Sequence, residues 1–285
     1  MIGTFREEST HPHVALRRLR LGHDHGYPFP STPAHLSSSD PDAIGRRTRA
    51  QLVSQGVALV ALDRPMTTSE FIAFGALLGV AQPERSSAVQ PYVDEGVILN
   101  LVAGRPATSD PDMQPFAANW LSIHTESSRV PAGDQPRFIA LLCVAAGLSG
   151  QASTVLVPMH AVFEALSETD RAILAETRYA DSQGSPTFLR EERGRPVFSV
   201  RDFQGTPLRW EYCGSAATTP AAVNSALTKL FAAMYDCDCF GVTWRPGLLV
   251  VFDNAEYFHG RTAGGRADDR SPRHLRRLRL AEAAS

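Results

Sequence analysis

Apolar residues recur along the chain in short runs, separated by segments rich in glycine, proline and polar residues. Short apolar runs bounded by turn signals are typical of buried β-strands. The clearest runs are VALVAL at 57–62, VILNLVA at 97–103, RFIALLCVAA at 137–146, TVLVP at 154–158 and GLLVVF at 247–252. We assign three mixed runs to strands as well: PVFSV at 196–200, RWEYC at 209–213 and HLRRLRL at 274–280.

Helical segments are fewer, and each has a recognisable start or stop signal. DAIGRRTRAQLVSQG begins beside two candidate N-cap residues, Asp40 and Asp42, and Gly56 can end it. TTSEFIAFGALLG at 67–79 opens with a threonine cap and carries Glu70 in its first turn. Two further helices are predicted, at about 159–166 and 219–235.

The first 40 residues are rich in histidine, proline and serine and show no clear period. We interpret them as an irregular lead-in. The histidines of HPH (11–13) and HDH (23–25) are predicted to be solvated, because no carboxylate or cysteine recurs at ligand spacing. Strands dominate the second half of the chain, which favours a mainly β fold, an antiparallel sandwich or jelly roll with flanking helices.

Composition narrows the classes of function. The 285 residues include 28 Lys+Arg and 30 Asp+Glu, and a formal net charge of −2 argues against a general electrostatic affinity for nucleic acid or anionic membranes. No apolar stretch reaches the roughly 18 residues that a membrane span needs, and the start lacks a signal-peptide core. The four cysteines include one CxC without a second pair, so we expect a reduced, cytoplasmic protein.

The tripeptide His124-Thr125-Glu126 is the first candidate for chemistry. Residues at positions i and i+2 of an extended strand point to the same face, so the imidazole and the carboxylate can reach one metal ion. An ordinary surface His–Glu pair remains the alternative at this point.

The second candidate lies in GLLVVFDNAEYFHGR and the basic tail that follows it. His259 comes shortly after a buried strand, and Arg273 stands at the entrance to HLRRLRL. An arginine inside an apolar barrel needs an anionic partner, and its planar fork suits a carboxylate. The alternative for this tail is a solvated basic face.

Together these segments resemble a known enzyme family. HTES, PRFIALLCVAAGLSGQASTVLVP and DNAEYFHGR followed by RHLRR are similar to the clavaminate synthase-like group of Fe(II)/2-oxoglutarate dioxygenases. That group lies in the taurine dioxygenase superfamily and includes arginine β-hydroxylases. The resemblance covers about residues 119–280. It implies one dioxygenase domain over 1–285: a helix-rich lead-in with the first strands (1–118) and a double-stranded β-helix, or jelly-roll, core (119–285).

The resemblance also implies the cofactor sites. His124, Glu126 and His259 would be the catalytic two-histidine, one-carboxylate triad that leaves open positions on Fe(II) for 2-oxoglutarate and O2. Arg273 falls where the family binds the distal carboxylate of 2-oxoglutarate. Thr154 falls where a family hydroxyl joins it, although Ser153 beside it is an alternative.

The resemblance implies three substrate contacts, Arg277, Glu126 and Glu211. Arg277 would pair with a substrate carboxylate, since positions 273, 275 and 277 share one face of a strand. Relatives that oxidise arginine carry Arg-aromatic-Asp-x-Asp where this chain has RWEYC, so Glu211 keeps one carboxylate and Cys213 replaces the other. This departure argues against arginine as the substrate; Glu211 could instead pair with Arg209.

The function implied is oxidation of an unactivated C–H bond in a small-molecule amino acid or amino-acid-derived carboxylate. Hydroxylation, desaturation and cyclisation are all open, and specialised metabolism, including antibiotic biosynthesis, is the expected setting. Halogenation is disfavoured, because the carboxylate ligand Glu126 is present. Two alternatives stay open: a zinc hydrolase with the same His2Glu set, and a non-catalytic β-sandwich that binds small carboxylates. The loops 104–119 and 183–207 are the candidate lids.

Overall fold

The computed structural model describes the whole chain except residues 24, 30–31, 105–107, 109, 111, 148–151, 215–216, 265–271 and 284–285. Its strands are β1 (Ile2–Phe5), β2 (Ala34–Leu36), β3 (Val57–Leu62), β4 (Val80–Ala81), β5 (Val93–Asp94), β6 (Ile98–Val102), β7 (Leu121–His124), β8 (Phe138–Ala145), β9 (Thr154–Pro158), β10 (Thr177–Tyr179), β11 (Leu189–Glu192), β12 (Arg195–Phe198), β13 (Leu208–Tyr212), β14 (Phe240–Val242), β15 (Leu248–Asp253), β16 (Tyr257–Arg261) and β17 (His274–Ala281). Its α-helices are α1 (Pro12–Leu21), α2 (Pro41–Gln55), α3 (Thr68–Ala76), α4 (Met159–Ala165), α5 (Glu168–Ala175) and α6 (Pro220–Asp236).

Two sheets form the body of the fold. The larger has the order β2-β3-β15-β8-β17-β6-β5, with β4 beside β17, and the smaller has the order β14-β9-β16-β7. The strand pairs within them are antiparallel except for β2 with β3. Apolar side chains of both sheets meet in one core, which confirms the mainly β, jelly-roll fold with flanking helices.

Successive side chains of a strand point to opposite faces of its sheet, so the two sheets contribute to three apolar cores. In β15, Val250 faces the core between the sheets, whereas its neighbour Val251 packs towards α2 and α3. In β9, Leu156 faces the same central core, whereas Val155 and Val157 pack towards α6 and the small sheet β1-β13-β10. Each sheet is therefore covered on both faces, which explains why its strands are continuous apolar runs.

The helix signals in the sequence act as predicted. Asp40 accepts a hydrogen bond from the backbone N–H of Ala43 at the start of α2, and Gly56 ends that helix with a φ of 67°. Thr67 and Glu70 form a reciprocal capping box at the start of α3.

The N-terminal segment differs from the irregular lead-in that we expected. β1 pairs with β13, and α1 packs on α6. His13 is fully buried and its Nε2 lies 3.1 Å from Glu7 Oε2, so it is not a solvated loop residue. Sequence reasoning missed α1 because its start is rich in histidine and proline. Pro12 occupies the first turn of this helix, where proline does not destabilise it.

The predicted division at residue 118 remains a prediction. The larger sheet combines strands from both sides of it, since β3 pairs with β15 and β6 pairs with β17. Among the residues that the structure describes, no helix is both long enough and apolar enough to cross a membrane.

A buried polar cluster joins α1 and α6 to the strand β7. Arg17 Nε donates to Asp202 Oδ2 at 2.6 Å, and the other guanidinium nitrogens of Arg17 donate to Glu7. The Tyr235 hydroxyl donates to the same Asp202 oxygen at 2.6 Å, and Ser122 Oγ of β7 donates to the Asp202 carbonyl at 2.5 Å. We call these five residues the Arg17 cluster. Burial works to raise the pKa of Glu7, but hydrogen bonds outweigh it and lower that pKa to about 2.

Removing the arginine of this cluster should destabilise the fold strongly. Arg17→Met leaves the buried carboxylate of Asp202 and the half-buried carboxylate of Glu7 without their cation, and breaking a buried ion pair typically costs about 3–5 kcal/mol. The exposed neighbour Arg18 provides the control, since Arg18→Met should change stability by about 0.5 kcal/mol or less. Urea unfolding of the wild type and the two variants measures both changes in the free energy of unfolding. Equal stabilities for the two variants would contradict a structural role for the cluster.

Candidate active site

His124, Glu126 and His259 converge at one end of the smaller sheet. His124 closes β7 and lies directly opposite His259 on β16. Glu126 follows two residues after His124, beyond the end of the strand, so a turn and not an extended strand presents it. One ligand atom from each residue lies within 4.8 Å of the others, and all three residues are buried. This donor set could hold one metal ion.

His124 is oriented as a neutral ligand. Its Nδ1 lies 2.8 Å from the Ser122 carbonyl, which can only accept, so Nδ1 carries the proton and Nε2 keeps a free lone pair. Burial, together with the charges of His259 and Arg201, lowers the pKa of His124 well below its usual value. A neutral imidazole with a fixed tautomer is the form that binds metals.

Glu126 is held as a carboxylate by Arg277. Burial alone would raise the pKa of Glu126, but the positive charge of Arg277, aided by His259 and Arg279, keeps it well below its usual value. Arg277 Nη1 donates to both Glu126 oxygens, at 3.1 and 3.2 Å. His259 Nε2 lies 3.6 Å from Glu126 Oε2. The carboxylate therefore stays ionised beside the two imidazoles.

The backbone around Glu126 is fixed by Asn254, which lies in the turn between β15 and β16. Asn254 Oδ1 accepts from the Glu126 N–H at 2.8 Å, and its Nδ2 donates to the Glu126 carbonyl at 3.2 Å and to the Pro136 carbonyl at 3.1 Å. Ser127 then adopts a φ of 56°, in the left-handed region. These constraints turn the chain at the point where Glu126 leaves the strand.

A narrow cavity beside the three residues contains Arg273 and Thr154. Arg273 is buried, and its recorded contact is a 3.4 Å hydrogen bond from Nη1 to the Ala152 carbonyl. Burial lowers the pKa of Arg273 to about 10. Burial also raises the pKa of the nearby Cys143 thiol to about 12, so this neighbour is neutral. Among the described residues no carboxylate pairs with Arg273, which leaves a buried cation ready for an anionic ligand.

The structure brings Thr154, and not Ser153, into this cavity. Thr154 Oγ1 accepts a hydrogen bond from the Trp244 indole at 3.2 Å, so its own proton is available to a ligand. The buried hydroxyl of Ser153 has no hydrogen-bond partner among the described residues, and its backbone N–H donates to the Thr262 hydroxyl.

A larger cavity of about 520 Å³ is also lined by His124, Glu126 and Arg277. Its charged lining includes the buried residues Glu84 and Arg277 and the half-buried residues Arg201 and Arg279. Sequence reasoning missed Glu84, Arg201 and Arg279. Position 279 lies on the same strand face as 273 and 277, so the period-two argument could have found Arg279. Glu84 and Arg201 lie in loops, where no sequence pattern predicts which side chains reach the site.

Glu211 is not brought to this site. It lies on β13, in the small sheet, and does not line either cavity. Its Oε2 accepts from Arg178 Nε at 2.9 Å, and its side chain is one-third exposed. The alternative partner Arg209 instead pairs with Asp181 at 2.9 Å. Cross-strand pairing with β10 sets these contacts. The structure therefore does not bring Glu211 to the two cavities described here, and its substrate role stays a prediction.

The two candidate lid segments differ in how they are held. Part of 104–119 lies outside the described residues, but its end is bound tightly: Arg261 donates to the carbonyls of Gln114, Pro115, Ala117 and Asn119. The segment 183–207 includes the hairpin of β11 and β12, which the sequence suggested only in part, and then Arg201 and Asp202. Lid motion of either segment stays a prediction.

Residues 27–279 match the family described as Taurine catabolism dioxygenase TauD, TfdA family. No curated protein shows a significant match to the chain.

Several solved structures share the fold. An asparagine oxygenase in complex with Fe(II), 2S,3S-3-hydroxyasparagine and succinate is 19% identical with a TM-score of 0.62, over 85% of this chain and 80% of its own. PvcB from Pseudomonas aeruginosa is 19% identical with a TM-score of 0.62, over 88% and 83%. The non-heme iron oxygenase OrfP, in complex with Fe and alpha-ketoglutaric acid, is 17% identical with a TM-score of 0.60, over 86% and 84%. At these identities the likeness is one of fold.

Asn254 should control metal affinity without being a ligand. Asn254→Leu removes three hydrogen bonds around Glu126, and loss of such outer contacts typically weakens metal binding by about 10–100-fold. Calorimetric titration with Mn(II) measures the effect. Asn224→Leu is the matched control, because it also removes partly buried side-chain hydrogen bonds, but away from the proposed ligands. Asn224 accepts from the Trp210 indole and donates to the Thr4 carbonyl, both on the small sheet. If both variants bound Mn(II) like the wild type, Asn254 would have no positioning role.

Proposed function

The chain belongs to the TauD/TfdA family of dioxygenases, and from this premise we propose that it is an Fe(II)- and 2-oxoglutarate-dependent oxygenase that oxidises an unactivated C–H bond of an amino acid or amino-acid-derived carboxylate. One observation carries the proposal. The buried set His124, Glu126 and His259 shares a cavity with a buried guanidinium, Arg273, that has no carboxylate partner among the described residues.

The three proposed metal ligands fit Fe(II). Two imidazoles and one carboxylate on one side of an ion leave the opposite positions open, which is the arrangement of non-haem Fe(II) oxygenases. In this chain His124 is neutral and Glu126 is ionised, as ligands must be.

The proposed 2-oxoglutarate site is built from Arg273 and Thr154. A buried guanidinium is costly without an anion, and a carboxylate can accept two parallel hydrogen bonds from it. The Thr154 hydroxyl can donate a further bond, because its oxygen already accepts from Trp244. This pair lies in the cavity that the three ligands border, so a carboxylate bound there directs the rest of the molecule towards them.

When bound, Fe(II) and 2-oxoglutarate activate O2, so that one oxygen atom enters a C–H bond of the substrate while 2-oxoglutarate becomes succinate and CO2. The residues of this chain hold the reactants in place. Arg277 orients both oxygens of Glu126, and Phe252 packs against the His259 ring with 4.9 Å between ring centroids. Burial of all three ligands limits the access of water to the reacting positions.

The choice of an amino-acid substrate is supported by a neighbour of the same fold. The asparagine oxygenase structure contains 3-hydroxyasparagine and succinate, a hydroxylated amino acid beside the product of 2-oxoglutarate. The adjoining cavity of about 520 Å³ lies within the usual range for small-molecule sites, roughly 300–1,000 Å³.

The two alternatives explain less. A zinc hydrolase would use the same ligands but would leave Arg273 buried for no purpose. A non-catalytic carboxylate-binding sandwich is at odds with membership of a dioxygenase family. We further propose a cytoplasmic setting in specialised metabolism; the four cysteines are free, as in a reducing compartment.

Arg273 provides the sharpest test of the proposed function. Anaerobic addition of Fe(II) and then 2-oxoglutarate should produce the weak visible charge-transfer band of the chelate. In Arg273→Ala, 2-oxoglutarate affinity should fall at least about 30-fold, because truncating one partner of a buried charge pair costs about 2 kcal/mol or more.

Arg276→Ala is the matched control, because Arg276 lies on the opposite face of β17 and donates to the Met66 carbonyl. Its 2-oxoglutarate affinity should match the wild type. Absence of the band in folded wild-type protein, or bound zinc in place of iron by elemental analysis, would refute the oxygenase assignment.

A further inference from the structure

The proposed function assigns no role to Glu84, a buried carboxylate that lines the larger cavity. Glu84 follows the short strand β4, and only 4% of its side chain is exposed. Its backbone N–H donates to the Gly96 carbonyl at 3.0 Å, and its carbonyl accepts from Gln90 Nε2 at 2.6 Å. The loop therefore fixes the backbone of Glu84 at both of its polar groups.

The carboxylate of Glu84 bridges two arginines of β17. Its Oε1 accepts from Arg277 Nη2 at 2.8 Å, and its Oε2 lies 2.9 Å from Arg279 Nη2. The two arginines are two residues apart on a strand and so point to the same face, which lets one carboxylate span both. The loop is also held against this strand, because the Gln82 N–H donates to the Arg279 carbonyl at 2.8 Å.

The same two arginines reach the proposed metal ligand Glu126. Arg277 Nη1 donates to both Glu126 oxygens, at 3.1 and 3.2 Å, and Arg279 Nη1 lies 3.8 Å from Glu126 Oε1. The second oxygen, Oε2, lies 3.6 Å from His259 Nε2. Two guanidinium groups therefore lie near Oε1, whereas Oε2 is the oxygen that faces the imidazole.

The bond to Glu84 limits how Arg277 can bind Glu126. A guanidinium can donate two parallel hydrogen bonds to one carboxylate through its planar fork. Here Glu84 takes Nη2 of Arg277, and Nη1 is the terminal nitrogen on Glu126. Without Glu84, both terminal nitrogens could turn to Glu126 and draw both of its oxygens away from the histidines. A metal ion would then compete with the arginine for the same carboxylate.

Charge acts in the same direction. Arg277 and Arg279 face the carboxylates of Glu84 and Glu126, so the four side chains balance one another. Removing Glu84 would leave two cations beside the proposed site of a dication, with one carboxylate to offset them. Both effects predict weaker metal binding when Glu84 is lost.

We infer that Glu84 is a positioning residue of the metal site: it holds Arg277 and Arg279 so that Glu126 keeps one oxygen for the metal ion. In this role Glu84 is not itself a ligand and acts through the two arginines. The inference rests on the proposed function, and it gives a role to a loop residue that no sequence pattern indicated.

Mn(II) affinity, measured by calorimetric titration of the metal-free protein, provides the first test. Glu84→Gln keeps the size of the side chain but removes its charge. Mn(II) affinity should fall about 10–100-fold, the usual effect of losing an outer contact of a metal ligand. Asp112→Asn is the matched control, because Asp112 lines the same cavity but accepts from Ser86 Oγ at 2.6 Å. Asp112 is exposed, so salt screens its charge and Mn(II) affinity should stay within about threefold of the wild type.

A double-mutant cycle with Arg277 separates positioning from the field of the Glu84 charge. In an Arg277→Met background, Glu84→Gln should weaken Mn(II) binding by no more than about threefold, because the residue through which Glu84 acts is already absent. A loss as large as in the wild-type background would show that Glu84 acts through its charge alone, and the inference would be wrong.

If Glu84→Gln does not fold, as judged by circular dichroism, Glu84→Asp replaces it. This variant keeps the charge, but its side chain is one methylene shorter and cannot span both arginines in their present positions. Mn(II) affinity should still fall at least about threefold, because outer contacts orient the ligand. An affinity equal to that of the wild type would contradict a positioning role.

Binding of 2-oxoglutarate distinguishes positioning from general damage to the fold. At saturating Fe(II), the charge-transfer band of Glu84→Gln should titrate with 2-oxoglutarate within about threefold of the wild-type affinity, because Arg273 and Thr154 are unchanged. Equal losses of Mn(II) and 2-oxoglutarate affinity would indicate a structural defect and overturn the inference. If the wild type gives no band, the proposed function fails, whereas the Mn(II) titrations still test the role of Glu84.

Discussion

The antiparallel pairing of β7 with β16 is the constraint on which the site depends. It sets His259 opposite His124, and the register shifts between His259 and Arg261. β16 also pairs with β9, where Arg261 lies opposite Thr154. Because side chains alternate with a period of two, a slip of one residue would turn the histidines towards the opposite core. The ligand set and the neighbouring hydroxyl are therefore products of one register.

Three buried arginines show three solutions to the same energetic problem. Arg261 donates to four backbone carbonyls and fastens the segment before β7. Arg277 is paired with Glu126 and Glu84. Among the described residues Arg273 has one weak contact, to a carbonyl, and this favours the proposed role as a binding group over a structural one. A buried cation that the protein does not neutralise is most readily explained by an anionic ligand.

The outer parts of the chain support the same strand. The Arg17 cluster joins α1 and α6 to β7 through Asp202, one residue after Arg201. Asn254 holds the turn that presents Glu126. The segment that we expected to be an irregular lead-in is thus part of the scaffold, because Arg17 pairs with the buried Asp202, which lies 185 residues away in the sequence.

The sequence by itself determined the strands that are continuous apolar runs, the two capped helices, the three proposed ligands and Arg273. Local sequence features predict them: apolar runs predict the strands, and cap residues predict the helix ends. Motifs that resemble a known family predict the ligands and Arg273. Only the tertiary structure decided which charges meet. Glu84 and Arg201 enter the cavity from separate loops, and Glu211 is drawn to Arg178 by the pairing of β13 with β10. Contacts between distant segments depend on sheet order and register, which no local pattern encodes.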